Sequence, residues 1–469
     1  MDKKLLIDYF NRCAKDRRKR RRRNHYYYEQ LESYFEFIIP QGSSVLEIGC
    51  GTGETLNALK PARGLGIDFC PEMVRLARNE FPHLEFRVED IEELKTTEKF
   101  DYVILSDLVG LLLDVQTAFN QLKKVCSART RVIIVNYNYL WEPVLKLAEK
   151  IGLRTPQLLQ NWLSLPDIEN LLYLSNFEVI KKGCRVLLPI YIPIVSTLFN
   201  KFISKLPLLS RLSLVQIIIA RPKPFSVVED NYSCSVVIAC RNELGNIRPT
   251  IERIPKMGSH TEIIFVEGHS KDGTLLEING QIKNFPEKDI KVLIQDGIGK
   301  GDAVHKGFSH AKGDILMVLD ADLTVYPEEL QKFYDTLASG KAEFAMGSRL
   351  VYPIEEGAMR FLNLVGNKFF SIVFSYLLEQ RIKDTLCANK AFFRRDYKKI
   401  EMVRDLLGNF DPFGDFDLIF GAAKYNLKIL EIPVRYNPRI YGTTQISRFS
   451  HGWLLLKMCW IAFWRLKIK

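Results

Sequence analysis

At 469 residues the chain is too long for one ordinary core, so two domains are the first expectation. Its 47% hydrophobic and 26% charged residues are globular proportions and exclude a disordered or fibrous chain. Nine cysteines, odd in number and widely spaced with no CxxC pair, argue against a disulfide framework or a structural zinc site.

Residues 1–40 read as a basic helical arm. No apolar signal segment opens it, and it soon reaches RRKRRRR at 17–23, where the net charge of +11 is concentrated. Such a run suits a solvated helix face, attraction to anionic lipid headgroups or, least of the three, nucleic acid.

Short apolar runs then alternate with amphipathic stretches: SVLEIG (44–49), GLGID (64–68), LEFRVED (84–90), YVILSD (102–107) and RVIIVNY (131–137). This alternation predicts an α/β fold with a parallel sheet covered on both faces. The first run leads into VLEIGCGTG (45–53), where Gly49, Gly51 and Gly53 recur at every second position before a helix. Glycines let such a turn tighten and let a ligand lie against bare backbone at the strand's carboxyl end. A dinucleotide site would carry GxGxxG. Here the spacing is GxGxG behind Glu47, and a carboxylate suits a cofactor bearing an ammonium and a sulfonium.

With Asp68 and Asp90 closing the next two runs, residues 26–182 resemble the class I S-adenosylmethionine-dependent methyltransferases. The resemblance implies a Rossmann-like sheet. It implies S-adenosylmethionine held by Glu47, Gly49, Gly51, Gly53 and Asp68, with Asp90 and Ile91 at adenine and Asp107 facing the reaction centre. SDLVG stands where enzymes that methylate base amino groups carry D/N-P-P-Y. Tyr137, Asn138, Tyr139 and Trp141 of NYNYLWEP read either as an acceptor pocket or as aromatic packing.

The stretch 186–220 is unusually apolar and broken by Pro189, Pro193 and Pro207. It reads as an appendage ending a methyltransferase domain over 41–220, or as a membrane contact, and the sequence does not choose. RPKPFSVVEDN (221–231) reads as a linker.

The second half, 232–469, repeats the alternation with CSVVIAC (234–240), EIIFVEG (262–268), KVLIQDG (291–297), DILMVLDAD (314–322), EFAMGSR (343–349) and KILEIPVRY (428–436). Asp320 and Asp322 extend a strand, so their side chains should leave on the same side. Two carboxylates a few ångströms apart repel by roughly 4 kcal/mol at an effective dielectric near 20. A hard cation, Mg²⁺ or Mn²⁺, offsets this and bridges protein carboxylates to a diphosphate. Asp322 as a cap for a helix starting near Pro327 is the plainer alternative.

Around this pair, GIGKGDAVHKGFSHAKGD, GSRLV (347–351), KDTLCANKAFFRRD (383–396), FGDFDLIFGAAK (413–424) and RIYGTTQISRFSHGW (439–453) follow in order. From about 234 to 455 the chain resembles the GT-A glycosyltransferases of family 2, especially the dolichyl-phosphate mannosyltransferase branch. The resemblance implies a GDP- or UDP-sugar contacted by Ala239, Arg241, Glu243, Glu267 and Lys300. It implies a metal on Asp320 and Asp322, and phosphate charge met by Arg349 and Arg439. Asp415 or Asp417 would act as base for a hydroxyl acceptor, whereas a lipid-phosphate acceptor needs none.

The sequence departs from that pattern at Glu267-Gly268 (usually two aspartates) and at Ala239-Cys240-Arg241 (usually Pro-x-Tyr). It departs again at Thr324 (often Gln) and at Gly442-Thr443-Thr444-Gln445 (usually Gly-x-Ser-Lys).

The expectation is a bifunctional transferase of sugar and methyl groups in cell-surface glycan or glycolipid synthesis. Its acceptor is a lipid phosphate or glycan, and it is peripheral on the cytoplasmic membrane face. Two alternatives stand beside it: a glycosyltransferase carrying a non-catalytic S-adenosylmethionine-binding docking domain, and an RNA methyltransferase steered by the arginine run.

Overall fold

The computed structural model describes residues 3–152, 154, 156–224, 231–352, 361–407, 414, 416–439, 441–442 and 448–468. The chain divides into two compact units whose sequence boundary falls between Lys223 and Pro224.

The first unit holds seven strands: β1 (Ser44–Ile48), β2 (Arg63–Asp68), β3 (Glu85–Val88), β4 (Phe100–Ser106), β5 (Cys126–Tyr137), β6 (Phe177–Arg185) and β7 (Val215–Pro222). Their order is β3-β2-β1-β4-β5-β7-β6. All run parallel except β7, which pairs antiparallel with both β5 and β6. Alternate strand residues reach opposite faces: Leu46 and Ile48 enter one apolar cluster, Val45 the other. The helix Leu165–Leu174 has a reciprocal cap, in which Ser164 Oγ accepts from Asp167 N and Asp167 Oδ2 accepts from Ser164 N at 2.8 Å.

β7 corrects the sequence reading. VQIIIARP is a strand in the sheet's interior, so the sheet takes in the end of the stretch read as an appendage and the first two residues of the stretch read as a linker. Its burial on both faces makes its centre, Ile217–Ala220, continuously apolar, with none of the polar alternation that marks a half-exposed strand.

The second unit holds β8 (Cys234–Cys240), β9 (Thr261–Glu267), β10 (Asp289–Ile294), β11 (Ile315–Val318), β12 (Phe344–Ser348), β13 (Lys390–Phe393) and β14 (Ile429–Pro433). Their order is β10-β9-β8-β11-β13-β12-β14, with β13 antiparallel to both neighbours. β13 was not foreseen as a strand. It is four residues long, and its buried Lys390 places Nζ 2.7 Å from the Cys387 carbonyl. A fully buried lysine in a short run gives no apolar signal.

β11 stops at Val318, so Asp320 and Asp322 lie in the turn beyond it and not along the strand. Among the described residues no helix is long and apolar enough to cross a membrane.

Candidate functional site

Each sheet has a switch point. β1 lies between β2 and β4, and β8 between β9 and β11, so crossovers diverge and leave a crevice at the carboxyl ends.

At the first crevice Gly49, Gly51 and Gly53 all take positive φ, 73°, 53° and 84°. A Cβ on Gly53 would come within 2.7 Å of the Phe86 ring, so both conformation and space demand glycine. Asp68 is aimed by backbone: Gly51 N–H donates to Oδ2 and Cys70 N–H to Oδ1, each at 2.9 Å. Each oxygen keeps a lone pair for a ligand. Burial raises the Asp68 pKa.

Asp107 adopts a left-handed backbone (φ 54°). The Tyr27 hydroxyl lies 3.0 Å from both its oxygens, and the Tyr137 hydroxyl lies 3.4 Å from Oδ2. Burial raises the Asp107 pKa, opposed by the Tyr27 hydrogen bond and by Arg17 and Arg154 nearby. Of the four residues read as an acceptor pocket, only Tyr137 reaches Asp107. Asn138 donates to the carbonyls of Arg211 and Ser213, and Trp141 donates to that of Leu212. Tyr139 is exposed.

Ile91 belongs to the apolar core. Asp90 caps the turn at Glu92 N (2.8 Å) and pairs with Lys3. An adenine amino group reaching Asp90 therefore meets a carboxylate already partnered from the N-terminal helix, Lys3–Arg23.

That helix was read as a basic arm, and the structure corrects the reading for part of the run. Asn11 Oδ1 accepts from Cys70 Sγ (3.0 Å) and Glu72 N (3.3 Å), while Ala14 packs with Cys70 and Met73. Arg17 brings Nε to 3.7 Å from where a Cβ on Gly51 would stand. Arg18 pairs with Glu80 and Arg21 with Glu32. Three of the seven basic residues thus face their own domain, which weakens the RNA-steering alternative. Arg17 and Tyr27 were missed as site residues because a charge run and an aromatic run carry no sign of which members turn inward.

Glu47 is buried and accepts from Leu56 N at 3.1 Å. Burial pushes its pKa from 4.5 to about 8, against the pull of Arg21. A raised folded-state pKa means that the stabilisation is fully present below the unfolded value and is lost as pH rises through about 8. At 1.36 kcal/mol per unit this is at most roughly 5 kcal/mol. The melting temperature of the first unit is expected to fall between pH 5 and 9, and Glu47→Gln should flatten that fall. Thermal melts of the full chain across this range check it, and an unchanged slope in the variant would refute it.

At the second crevice the carboxylate pair is already compensated by the chain. Lys300 Nζ lies 2.5 Å from Asp320 Oδ1, and Arg439 bridges Asp322 Oδ2 (2.8 Å) and Glu243 Oε1 (2.9 Å). Two protein cations therefore answer the repulsion that the sequence reading assigned to a metal. Asp322 is no helix cap: its Oδ1 accepts from Thr324 N (3.1 Å) and Oγ1 (2.8 Å) in a local turn. The tail strap holds the turn in place, since Asn437 N donates to the Thr324 carbonyl at 2.8 Å.

Glu267 is buried and holds its own turn through His269 N (3.1 Å) and Ser270 N (2.6 Å). Ala239 is half-buried and Arg241 exposed at the end of β8. Burial raises the Glu243 pKa, with Arg439 opposing.

Two expectations fail here. Arg349 does not present a free charge to phosphates. It forms a bidentate pair with buried Asp384 (Nε–Oδ2 2.8 Å, Nη2–Oδ1 2.8 Å), which Asn367 also contacts, and that pairing holds the carboxyl down at about 2. Asp417 is no open base. It is buried, taking His305 Nε2 at 2.6 Å, and His305 Nδ1 meets Tyr397 OH at 2.8 Å. This chain anchors the helix Lys300–His310, whose first residue faces Asp320. Asp415 lies outside the described residues.

The donors at the second crevice are hard carboxylate oxygens, and Asp320 keeps one-third of its side chain exposed. That chemistry fits Mg²⁺ or Mn²⁺ sharing a substrate diphosphate.

Two family descriptions match this chain: "Methyltransferase domain" over residues 18–182 and "Glycosyl transferase family 2" over 235–401. The chain is similar to glycosyltransferase AglJ of Haloferax volcanii, 28% identical, covering 41% of this chain and 60% of the relative. It is similar to the low-salt glycan biosynthesis hexosyltransferase Agl6 of the same organism, 30% identical, covering 47% and 51%. It is also similar to the dolichol-phosphate mannosyltransferase of Pyrococcus furiosus, 28% identical, covering 45% and 59%. The chain therefore spans roughly half to three-fifths of the length of these relatives. It is a two-domain protein in which a methyltransferase domain is joined to a glycosyl transferase family 2 domain.

Proposed function

We propose that the chain is a bifunctional enzyme, transferring a sugar from a nucleoside-diphosphate donor and a methyl group from S-adenosylmethionine, in the synthesis of a cell-surface glycan or glycolipid. The observation that carries the reading is the charge cluster of Lys300, Asp320, Asp322, Arg439 and Glu243 at the carboxyl ends of β8 and β11. Relatives that act as dolichol-phosphate mannosyltransferases support the donor and acceptor classes.

In sugar transfer the bond from the sugar's anomeric carbon to diphosphate breaks as a bond to the acceptor oxygen forms, with inversion. Negative charge grows on the departing diphosphate, and Lys300 and Arg439 meet it. Asp320 and Asp322 are the residues that would hold a divalent cation, which would supply further stabilisation of that charge. Ala239, Arg241, Glu243 and Glu267 line the nucleotide side. With Asp417 committed to His305, a lipid-phosphate acceptor is favoured, because its oxygen is already ionised. For a hydroxyl acceptor Asp415 would be the base.

In the other domain the backbone of Gly49, Gly51 and Gly53 and the carboxylate of Asp68 would hold the cofactor, which would supply the methyl group. Glu47 supports the loop from beneath, and Asp90 stands at the adenine end. Asp107, held by Tyr27 and Tyr137, accepts the acceptor's proton.

Peripheral attachment to the cytoplasmic membrane face is part of the reading. The helix Arg448–Phe463 exposes Trp453 and Trp460, and Phe361–Leu378 exposes Phe369 and Ile372.

Calorimetric titration of the full chain tests the whole. S-adenosylmethionine should bind without metal, and a UDP- or GDP-sugar should bind and turn over only with Mn²⁺ or Mg²⁺. Failure of either titration removes that half alone. Cofactor binding without any methylated product from envelope extracts would favour the docking alternative.

A further inference from the structure

The segment between β6 and β7 is built inside out. Along its helix Val195–Lys201 and the turn after it, Ser196, Asn200 and Ser204 recur every fourth residue and are all buried. Their polar atoms are consumed locally. Ser196 Oγ donates to the Ile190 carbonyl at 2.7 Å, and Ser204 Oγ donates to the Asn200 carbonyl at 2.6 Å. Asn200 Nδ2 donates to the Leu188 carbonyl at 2.7 Å. The outward positions belong instead to apolar side chains: Ile190, Ile194, Leu198, Phe202, Leu206 and Leu208 are exposed, Ile194 by 84% and Leu208 by 77%. A surface helix in water shows the opposite arrangement. Contiguous exposed apolar surface marks a site meant for another apolar phase.

Charge identifies that phase. No aspartate or glutamate occurs from Val179 to Val228, while Lys201, Lys205 and Arg211 lie within the lobe itself. Apolar tips flanked by cations, with no carboxylate to repel a phosphate, are complementary to the interface of an anionic bilayer. A protein partner would not require the lobe to be free of acids.

The lobe is braced on the segments that carry Asp107's tyrosines. Asn200 Nδ2 also donates to Tyr26 OH at 3.1 Å, and the Tyr191 and Tyr26 rings lie 5.5 Å apart, one residue from Tyr27. At its far end the Arg211, Leu212 and Ser213 carbonyls accept from Asn138 and Trp141, adjacent to Tyr137.

We infer that residues 188–212 form a bilayer-inserting lobe that sets the Asp107 pocket against an anionic membrane surface, so that the methyl acceptor is a lipid-anchored molecule. The statement about the acceptor rests on the methyltransferase reading of that pocket, whereas the lobe's membrane affinity does not.

Vesicle flotation of the full chain tests it. Vesicles of phosphatidylcholine with 30% phosphatidylglycerol should carry the protein up the gradient, and pure phosphatidylcholine should do so at least tenfold less well. Ile194→Asp with Leu208→Asp should reduce flotation at least tenfold, and Lys201→Ala with Arg211→Ala should remove most of the phosphatidylglycerol preference. Because all four side chains are exposed, both variants should keep the native melting temperature and S-adenosylmethionine affinity.

The inference is overturned if the native chain fails to float. It is equally overturned if Ile194→Asp with Leu208→Asp floats like the native chain, or if that variant only dissolves a dimer seen by sedimentation. Methylation of water-soluble acceptors at undiminished rate without vesicles would overturn the acceptor assignment alone. Loss of S-adenosylmethionine binding in the native chain would instead remove the methyltransferase reading and leave the lobe standing.

Discussion

Asp320→Asn combined with Asp322→Asn is expected to lower sugar transfer by roughly a thousandfold, about 4 kcal/mol of stabilisation lost from a departing diphosphate. The structure sharpens this expectation. Lys300 and Arg439 each pair with one of the aspartates already, so the mutual repulsion of the two carboxylates is offset within the chain. When the aspartates become amides, Lys300 and Arg439 lose these partners, Arg439 keeping Glu243, and both can still meet the diphosphate. Nucleotide binding should therefore survive, while its response to Mn²⁺ disappears. Titrations with and without Mn²⁺, alongside a radiolabelled transfer assay, check this. A variant whose binding and turnover still respond to Mn²⁺ as the native chain does would remove the metal from Asp320 and Asp322. S-adenosylmethionine affinity serves as the internal control and should not move.

Asp107→Asn is the second large effect, a loss of about 10²–10⁴-fold in methyl transfer, the range that one positioned general base supplies. The amide keeps the shape and can still accept from Tyr27, so cofactor affinity should stay within a factor of two or three. The pH profile separates a base from a mere support. Burial raises the Asp107 pKa, so in the native enzyme the acidic limb of kcat/KM should lie above the usual carboxylate range, with activity rising as the group ionises. Asp107→Asn should lose that limb, and Tyr27→Phe should shift it. A variant that retains the native limb, or loses cofactor binding in parallel with rate, would show that Asp107 only holds the fold.

The reach of sequence reasoning differs between elements for physical reasons. Every strand that ends in a site was legible, because a parallel strand buried on both faces is a continuous apolar run and its polar ending stands out. The ending of β1 in glycines and of β11 near two aspartates is of this kind. β7 and β13, which carry none of the site residues named above, were not foreseen. β7 lies inside an apolar stretch too long to resolve, and β13 is a four-residue strand with a lysine in its core.

Residue types, spacing and order along the chain thus determined the two α/β halves, the glycine turn and the acidic cluster, because backbone conformation and strand ends are local properties. Partnership is not local. That Arg349 is spent on Asp384, Asp417 on His305, and Lys300 and Arg439 on the aspartate pair depends on residues tens to hundreds of positions apart. The same holds for the N-terminal helix over Gly51 and for the lobe that hides serines and shows leucines. Only the folded chain decides which charge meets which, and which face of a helix water sees.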